Sequence, residues 1–484
     1  MSWTRYLPTD RLRWTRGYDA SPIWPSDPDP TILKNIAASL FADASGQPDE
    51  SLQVKFLADG ARHKVYDVTR SSDEANYLLR VAIPLDPHFK LESEMATMEA
   101  VRRATSIPVP RPVAWSSSAD NELGYEWCLV EKIPGVELRE VWRKIPWDKK
   151  LDVVDQVAHI MAQLWSPALE FSKLGSIYLE PPGEDTLKKQ HRETESRITT
   201  LTSTANWGTK IGPSVDPAFF SDRRRYLDQD RGPYETCHDW AKALIKVEME
   251  YIKSARPLHA AKEEILAANP DDDWDTIVSE DIGIDEDDLV RYDKMLGLCG
   301  EYLNLLPTVF PVSSEGAEDV SRFSLFHCDL RSANIIVNPD TCDVAGIIDW
   351  EQSTTVPQWY NHIYPEFLQG DDPLKGDRHQ TPDTYDSEDE AYNAVVVSNR
   401  DRWDGRLLRA RFDKAMEELG WKDWKLRSPV EEAKITFLGG ISDLADWRSA
   451  ERQLEEVRQL LGIETEAGSN GEDTESSDGS VNDA

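Results

Sequence analysis

Between Phe326 and Glu351 the chain sets two short apolar runs and two polar exits in a fixed order. Phe326-His327-Cys328-Asp329-Leu330-Arg331-Ser332-Ala333-Asn334 leads into Ile335-Ile336-Val337. After a turn, Val344-Ala345-Gly346-Ile347-Ile348 leads into Asp349-Trp350-Glu351. Short runs of Ile and Val bounded by turn residues read as buried strands, and their separation predicts a hairpin. That spacing suits phosphoryl transfer. Asp329, at a strand-to-loop exit, can accept the proton of an attacking hydroxyl. Asn334, five residues on, can turn back to offer Mg²⁺ a neutral oxygen. Asp349, arriving on the paired strand, adds a carboxylate to the same ion, which takes oxygen ligands. His327 is expected to hold the loop, since a base is already present. Acids and Asn filling turns between core strands are the structural alternative. H-x-D alone is common, whereas H-x-D-x-x-x-x-N followed by Ile-Ile-Asp-Trp is far more specific.

The surroundings predict an α+β chain in two lobes. Val54–Phe56, Val65–Thr69, Tyr77–Ile83 and Trp127–Val130 read as strands, interrupted by one helix from Leu91 to about Arg103. After Pro134-Gly135 the patterns turn helical: Trp147–Trp165, Tyr234–Ala255 and Asp287–Leu305. Ser428-Pro429-Val430-Glu431 starts a helix as a capping box, and Gly462 stops the last one. The divisions expected are an N-terminal extension (1–50), a small lobe (51–133) and a helical lobe (134–462). The helical lobe carries the catalytic loop (326–351) and a helical insertion around 170–300. A disordered acidic tail (463–484) follows. In the small-lobe helix, Leu91, Met95, Met98 and Val101 form an apolar stripe that contains Glu94. A carboxylate on a buried face needs a cation, and Arg80 on the preceding strand is the natural one.

These motifs resemble the kinase-like phosphotransferases of the aminoglycoside phosphotransferase and choline kinase superfamily, and within it the fungal branch of phosphotransferase enzyme family proteins. The resemblance runs from about Leu52 to Leu368. It implies a two-lobed protein-kinase-like fold, with a small antiparallel-sheet N-lobe carrying one helix and a large, mainly helical C-lobe. It also implies ATP and Mg²⁺ as cofactors and a small-molecule acceptor with a hydroxyl. Ala58-Asp59-Gly60-Ala61-Arg62 looks like the nucleotide-covering hairpin, with Gly60 at its turn. Arg80 stands where the family places the cation that grips the phosphates, and it departs from the lysine of most kinases. Arg80 with Glu94 resembles the lysine–glutamate pair of such small lobes. Ser106-Ile107-Pro108-Val109-Pro110 resembles the family's entry to the next strand. By the same resemblance adenine would meet main-chain groups of Glu131 and Ile133 at the hinge. Arg331 stands where protein kinases carry a cation beside the transferring phosphate. Ile-Asp-Trp-Glu replaces Asp-Phe-Gly, and no Ala-Pro-Glu segment follows, which favours a small acceptor over a peptide.

Two other classes share these residues. One is a non-catalytic kinase-like binding or regulatory protein, motivated by Arg80 and the single glycine of the loop. The other is a metal-dependent phosphoesterase built on His327, Asp329 and Asp349, which lacks a second His/Asp cluster. Glu351 and Glu366 are candidate acids beside the reacting hydroxyl, and a structural role for Glu351 next to Trp350 is the alternative.

Charge narrows the partners. The 484 residues carry 89 acids against 54 Lys and Arg, a net charge of −35. That disfavours nucleic acid and anionic membrane surfaces. Three stretches, Asp271–Asp288, Asp371–Glu390 and Glu464 to the end, contribute −10, −6 and −7, and read as solvated loops and a tail. The trio Arg223-Arg224-Arg225 likewise reads as a solvated face. No apolar run is long enough to span a membrane. Five scattered cysteines without a C-x-x-C pair point to a reducing compartment. The cytoplasm is expected. A mitochondrial location is the alternative, because Arg5, Arg11, Arg13 and Arg16 with only Asp10 as an acid loosely resemble a presequence.

Overall fold

The computed structural model describes residues 13–14, 22–43, 45–60, 62–70, 76–181, 198–268, 270, 288–312, 322–370, 390–444 and 446–463. Nearly all of the three acidic stretches, and Arg5, Arg11 and Arg16, lie outside the described residues.

The small lobe begins with helix α1 (Pro30–Leu40). Asp29 caps it, accepting from the Thr31 N–H at 2.7 Å, and Pro30 occupies the first turn, where its missing N–H costs nothing. Leu33, Ala37 and Ala38 are buried against the sheet formed by β1 (Gln53–Asp59), β2 (His63–Thr69), β3 (Asn76–Ala82), β4 (Pro112–Ser116) and β5 (Glu126–Glu131). Helix α2 (Phe89–Ala104) follows β3. The antiparallel sheet runs β4-β5-β3-β2-β1, with the short Thr199–Thr200 segment added beside β4. Arg80 is in register with Val65 on one side and Cys128 on the other. Its guanidinium therefore leaves from the centre of the sheet.

In the large lobe, helix α3 (Trp147–Leu164) carries the apolar face Val153, Val154, Val157, Ile160, Met161 and Leu164 into the main core. The region around 170–236, expected to be helical, holds strands and 3₁₀ turns instead. Strands β6 (Ser176–Glu180) and β7 (Gly208–Gly212) pair antiparallel across a long connection, for which no local signal exists. Helices α4 (Cys237–Ala260) and α5 (Asp288–Val309) then pack on each other. Strand β8 (Phe323–Phe326), the hairpin β9 (Ile335–Val337) and β10 (Val344–Ile347), and β11 (Thr354–Pro357) carry the motif region. Helix α6 (Glu390–Glu418) lies on α3. Helix α7 (Pro429–Ser442) opens with the reciprocal Ser428–Glu431 capping box, and α8 (Trp447–Leu460) closes the chain's second core.

The architecture is thus a two-lobed α+β fold, and the 170–236 region bridges its lobes. The β6–β7 hairpin packs on α2, and Arg231 forms a bidentate pair with Asp86, just before that helix, at 2.8 and 2.6 Å. Arg103 of α2 donates to the carbonyl of Trp207 at 2.7 Å. As a result 11 of the 16 residues of α2 are buried, too many for a surface helix that covers a sheet on one face only. The basic trio also differs from expectation. Arg223 is buried, and Arg224 pairs bidentately with Glu248 at 2.7 Å while stacking on Tyr251.

Because Leu33 is fully buried between α1 and the sheet, Leu33→Ala leaves a cavity in the small lobe. The expected cost is about 2–5 kcal/mol, read as a lower denaturation midpoint in urea. An unchanged midpoint would mean that α1 adds nothing to the lobe's stability.

Candidate active site

The β9–β10 hairpin brings the ends of both motifs together. The side-chain amide of Asn334 donates from Nδ2 to both the carbonyl and Oδ2 of Asp329, each at 2.8 Å. This orientation turns the amide oxygen away from Asp329. The Arg331 guanidinium pairs with the same Oδ2 at 3.0 Å, and both side chains are about half exposed. Among the described residues, Oδ1 of Asp329 accepts no hydrogen bond.

His327 holds the loop from inside. Its Nδ1 accepts from the Asp329 N–H at 3.3 Å, and Nε2 meets the Ile348 carbonyl at 3.1 Å. Its ring also packs edge-on against Trp350, which is fully buried. With both nitrogens spent on main chain, the ring braces one motif against the other and leaves no nitrogen for a substrate. Burial holds its pKa down to about 4.

Asp349 follows β10 with φ +63°, in the left-handed region that Asp tolerates better than most residues. Its Oδ1 is buried without a hydrogen-bond partner, and the closest cation is Arg80 Nη2 at 3.7 Å. Burial, and then the negative charge of Glu351, push its pKa up to about 7. The positive charges of Arg80 and Lys90 offset this only in part.

Arg80 reaches this acid while pairing with Glu94 of α2, which is buried. Gly60 stands at the tip of the β1–β2 hairpin, its N–H donating to the His63 carbonyl at 2.8 Å. Residues 131 and 133 lie further off, at the inter-lobe link. The Glu131 N–H is taken by the Arg111 carbonyl at 2.9 Å, so of its main-chain groups only the carbonyl is left to offer a ligand. Ile133 caps Gly346 of β10, where a Cβ would come within 2.1 Å of Ile133 Cδ1. The hinge therefore packs directly on the strand that leads to Asp349.

Sequence reasoning left the role of Glu351 open and missed Lys90 altogether. Glu351 is buried and pairs with Lys90 of α2 at 2.7 Å. Burial alone would raise its pKa, but Lys90, His63 and Arg62 hold it well below the usual carboxylate range. Only the position of Lys90 on the buried side of α2 could have signalled this, and a lysine next to an apolar stripe usually extends into water. Beside Asp329 lies a cavity of about 250 Å³, lined among others by Trp165, Phe326, Cys328, Tyr364 and Glu366.

The fold and these clustered residues define the kinase-like class of two-lobed proteins. A family model described as the phosphotransferase enzyme family matches residues 53–360, and the chain belongs to that family. A subtelomeric hrmA-associated cluster protein of Aspergillus fumigatus is 23% identical over 486 residues, covering 87% of this chain and 90% of its own. The protein named altered inheritance of mitochondria protein 9, mitochondrial, of Candida dubliniensis is 26% identical over 348 residues, covering 67% of this chain and 51% of its own. The chain thus spans about half the length of that second relative. Among solved structures, an aminoglycoside phosphotransferase, APH(4)-Ia, in ternary complex with AMP-PNP and hygromycin B is 13% identical. It covers 87% of this chain and 96% of its own, with TM-score 0.35. A Plasmodium vivax ethanolamine kinase is also 13% identical, covering 91% and 95%, with TM-score 0.34.

The His327 pKa sets a stability dependence. An unfolded histidine titrates near 6.5, above the folded value of about 4, so the unfolded chain takes up the proton first. The favourable contribution of neutral His327 is complete above about pH 6.5. It falls by on the order of 3 kcal/mol as pH drops toward 4, then levels. His327→Gln should flatten that slope in urea titrations at pH 7 and pH 5. An equal loss in parent and variant would show that His327 is not its source.

Proposed function

We propose that the protein is an ATP- and Mg²⁺-dependent phosphotransferase that moves the γ-phosphate onto a hydroxyl of a small molecule. One observation carries this reading. Asn334 bonds Asp329 through its side chain and accepts from the Ile348 N–H, next to Asp349, through its carbonyl at 3.0 Å. Among the described residues Asp329 Oδ1 accepts no hydrogen bond, and Asp349 Oδ1 is buried without one. The first suits a group that receives a proton, and the second suits a ligand to a cation.

A magnesium ion fits this donor set. Asp349 would supply a carboxylate and Asn334 its amide oxygen, both oxygen donors as the ion requires. When bound, the ion would neutralise phosphate charge and orient the nucleotide. Asp329 orients the acceptor hydroxyl and takes its proton on Oδ1, while Asn334 and Arg331 hold Oδ2 and fix the carboxylate plane. Arg80, seated by Glu94, holds phosphate oxygens, and the Gly60 turn covers them. The carbonyl of Glu131 and the main chain of Ile133 face the adenine. Catalysis then comes from positioning and charge compensation. The cavity beside Asp329 is the acceptor site on this reading, and its size suits a compact molecule.

The test is ADP release by the purified chain with Mg·ATP and a panel of amino alcohols, sugars and aminoglycosides. Asp329→Asn should lower turnover by about 10³-fold or more while Mg·ATP binding stays within about threefold. Equal turnover in parent and variant would remove Asp329 from the chemistry. Binding of Mg·ATP without turnover on any acceptor would favour the non-catalytic alternative.

The mitochondrial names of several relatives favour a mitochondrial location for this protein over a cytoplasmic one. A fluorescent fusion at the C-terminus should co-localise with a mitochondrial marker, and a diffuse signal would return the protein to the cytoplasm.

A further inference from the structure

Two cations and an imidazole of the small lobe converge on Glu351, two residues beyond Asp349. Lys90 Nζ lies 2.7 Å from Oε2, His63 Nδ1 3.7 Å from Oε2, and Arg62 Nη1 3.3 Å from Oε1. Lys90 belongs to the first turn of α2, while Arg62 and His63 follow Gly60 at the tip of the β1–β2 hairpin. The same imidazole meets Arg80 Nη2 at 3.4 Å. Glu351 therefore links the three small-lobe elements that surround the proposed phosphate space.

The two ion pairs have different reasons to exist. Lys90 is 2% exposed and Glu351 8%, so each is the counter-ion that makes the other's burial tolerable. Arg62 is 34% exposed and had water available. Its reach across to an already compensated carboxylate does not rescue a buried charge. It ties the hairpin tip to the large lobe.

Building on the nucleotide-site reading above, we propose that Glu351 is a positioning residue for the nucleotide phosphates. Through Lys90 it seats the start of α2, and with it Glu94 and Arg80. Through Arg62 it holds the Gly60 turn over the same space. Both carboxylate oxygens are spent on these groups, so Glu351 acts through them and touches no reacting atom.

The experiment measures Mg·ATP affinity by calorimetry, with KM and kcat for ADP release and thermal midpoints, on the full chain. Arg62→Gln, at a part-exposed site, should keep the parent's thermal midpoint and weaken Mg·ATP about fivefold. It should change kcat by no more than about twofold. Glu351→Gln should weaken binding at least as much, and the Arg62→Gln/Glu351→Gln double variant no further. If Glu351→Gln fails to fold, Glu351→Gln with Lys90→Met removes both buried charges together and replaces it. Unchanged or tighter Mg·ATP binding by Arg62→Gln would overturn the proposal, because the contact would then be idle or obstructive. Independent, additive losses would overturn it too, since Arg62 would then act on the phosphates without Glu351. A folded parent that binds no Mg·ATP would instead overturn the nucleotide reading on which the proposal stands.

Discussion

Charge taken out of water costs several kcal/mol per ion unless a partner goes with it. This chain spends that cost repeatedly around one helix. Arg80 with Glu94, Lys90 with Glu351 and Arg231 with Asp86 all place their charges at low exposure, and all involve α2 or the residues leading into it. Apolar side chains of similar volume would hold such a helix at least as firmly, so the pairs contribute little net stability. What they add is geometry. An apolar face can slide or rotate by several degrees at little cost, whereas a buried carboxylate displaced from its guanidinium loses its compensation. The position of α2, and hence of Arg80 against Asp349, follows from satisfying those charges together.

The large lobe answers this with close packing at the hinge. Gly346 has no side chain, and Ile133 fills the space that a Cβ would take. Trp350, fully buried, donates from its indole to the Ile347 carbonyl at 2.9 Å and receives His327 against its ring. Asp349 sits between these two anchors in a left-handed conformation. Its left-handed backbone is held by packing on either side, and its Oδ1 is buried without a hydrogen-bond partner.

What could be read in advance follows the range of the interactions. The β9–β10 hairpin, the strands of the small lobe and the α7 capping box are local patterns, and their residues carry the information. The strands start one or two residues before their expected bounds, while their far ends range from one residue short (β3, at Ala82) to three residues beyond (β1, at Asp59). Helix α1 also has local signals, Asp29 and Pro30 followed by Leu33 and Ile36–Ala37, in the stretch expected to be an N-terminal extension. The β6–β7 hairpin, the Thr199–Thr200 addition to the sheet and the burial of Arg223 depend on partners tens of residues away or more. No window on the sequence contains them. Glu351 is the sharpest case. From its neighbours it was a substrate acid or a companion to Trp350, and its actual partner, Lys90, lies 261 positions earlier.

The two arginines nearest the proposed chemistry differ in the same physical terms. Arg80 is 13% exposed and its partner Glu94 1%, so that pair is screened very little by salt and is costly to separate. Arg331 and Asp329 are about half exposed, and a pair so open to water is worth at most about 1 kcal/mol. On the proposed reading the division is functional. The cation that must stay with the nucleotide is fixed from behind by a buried acid. The cation beside the base is held only loosely to Asp329, so it can move to the charge that develops on the transferring phosphate without a large cost. A site with both arginines buried and paired would have no such freedom, and one with both exposed would have no fixed reference against which Asp349 could be placed.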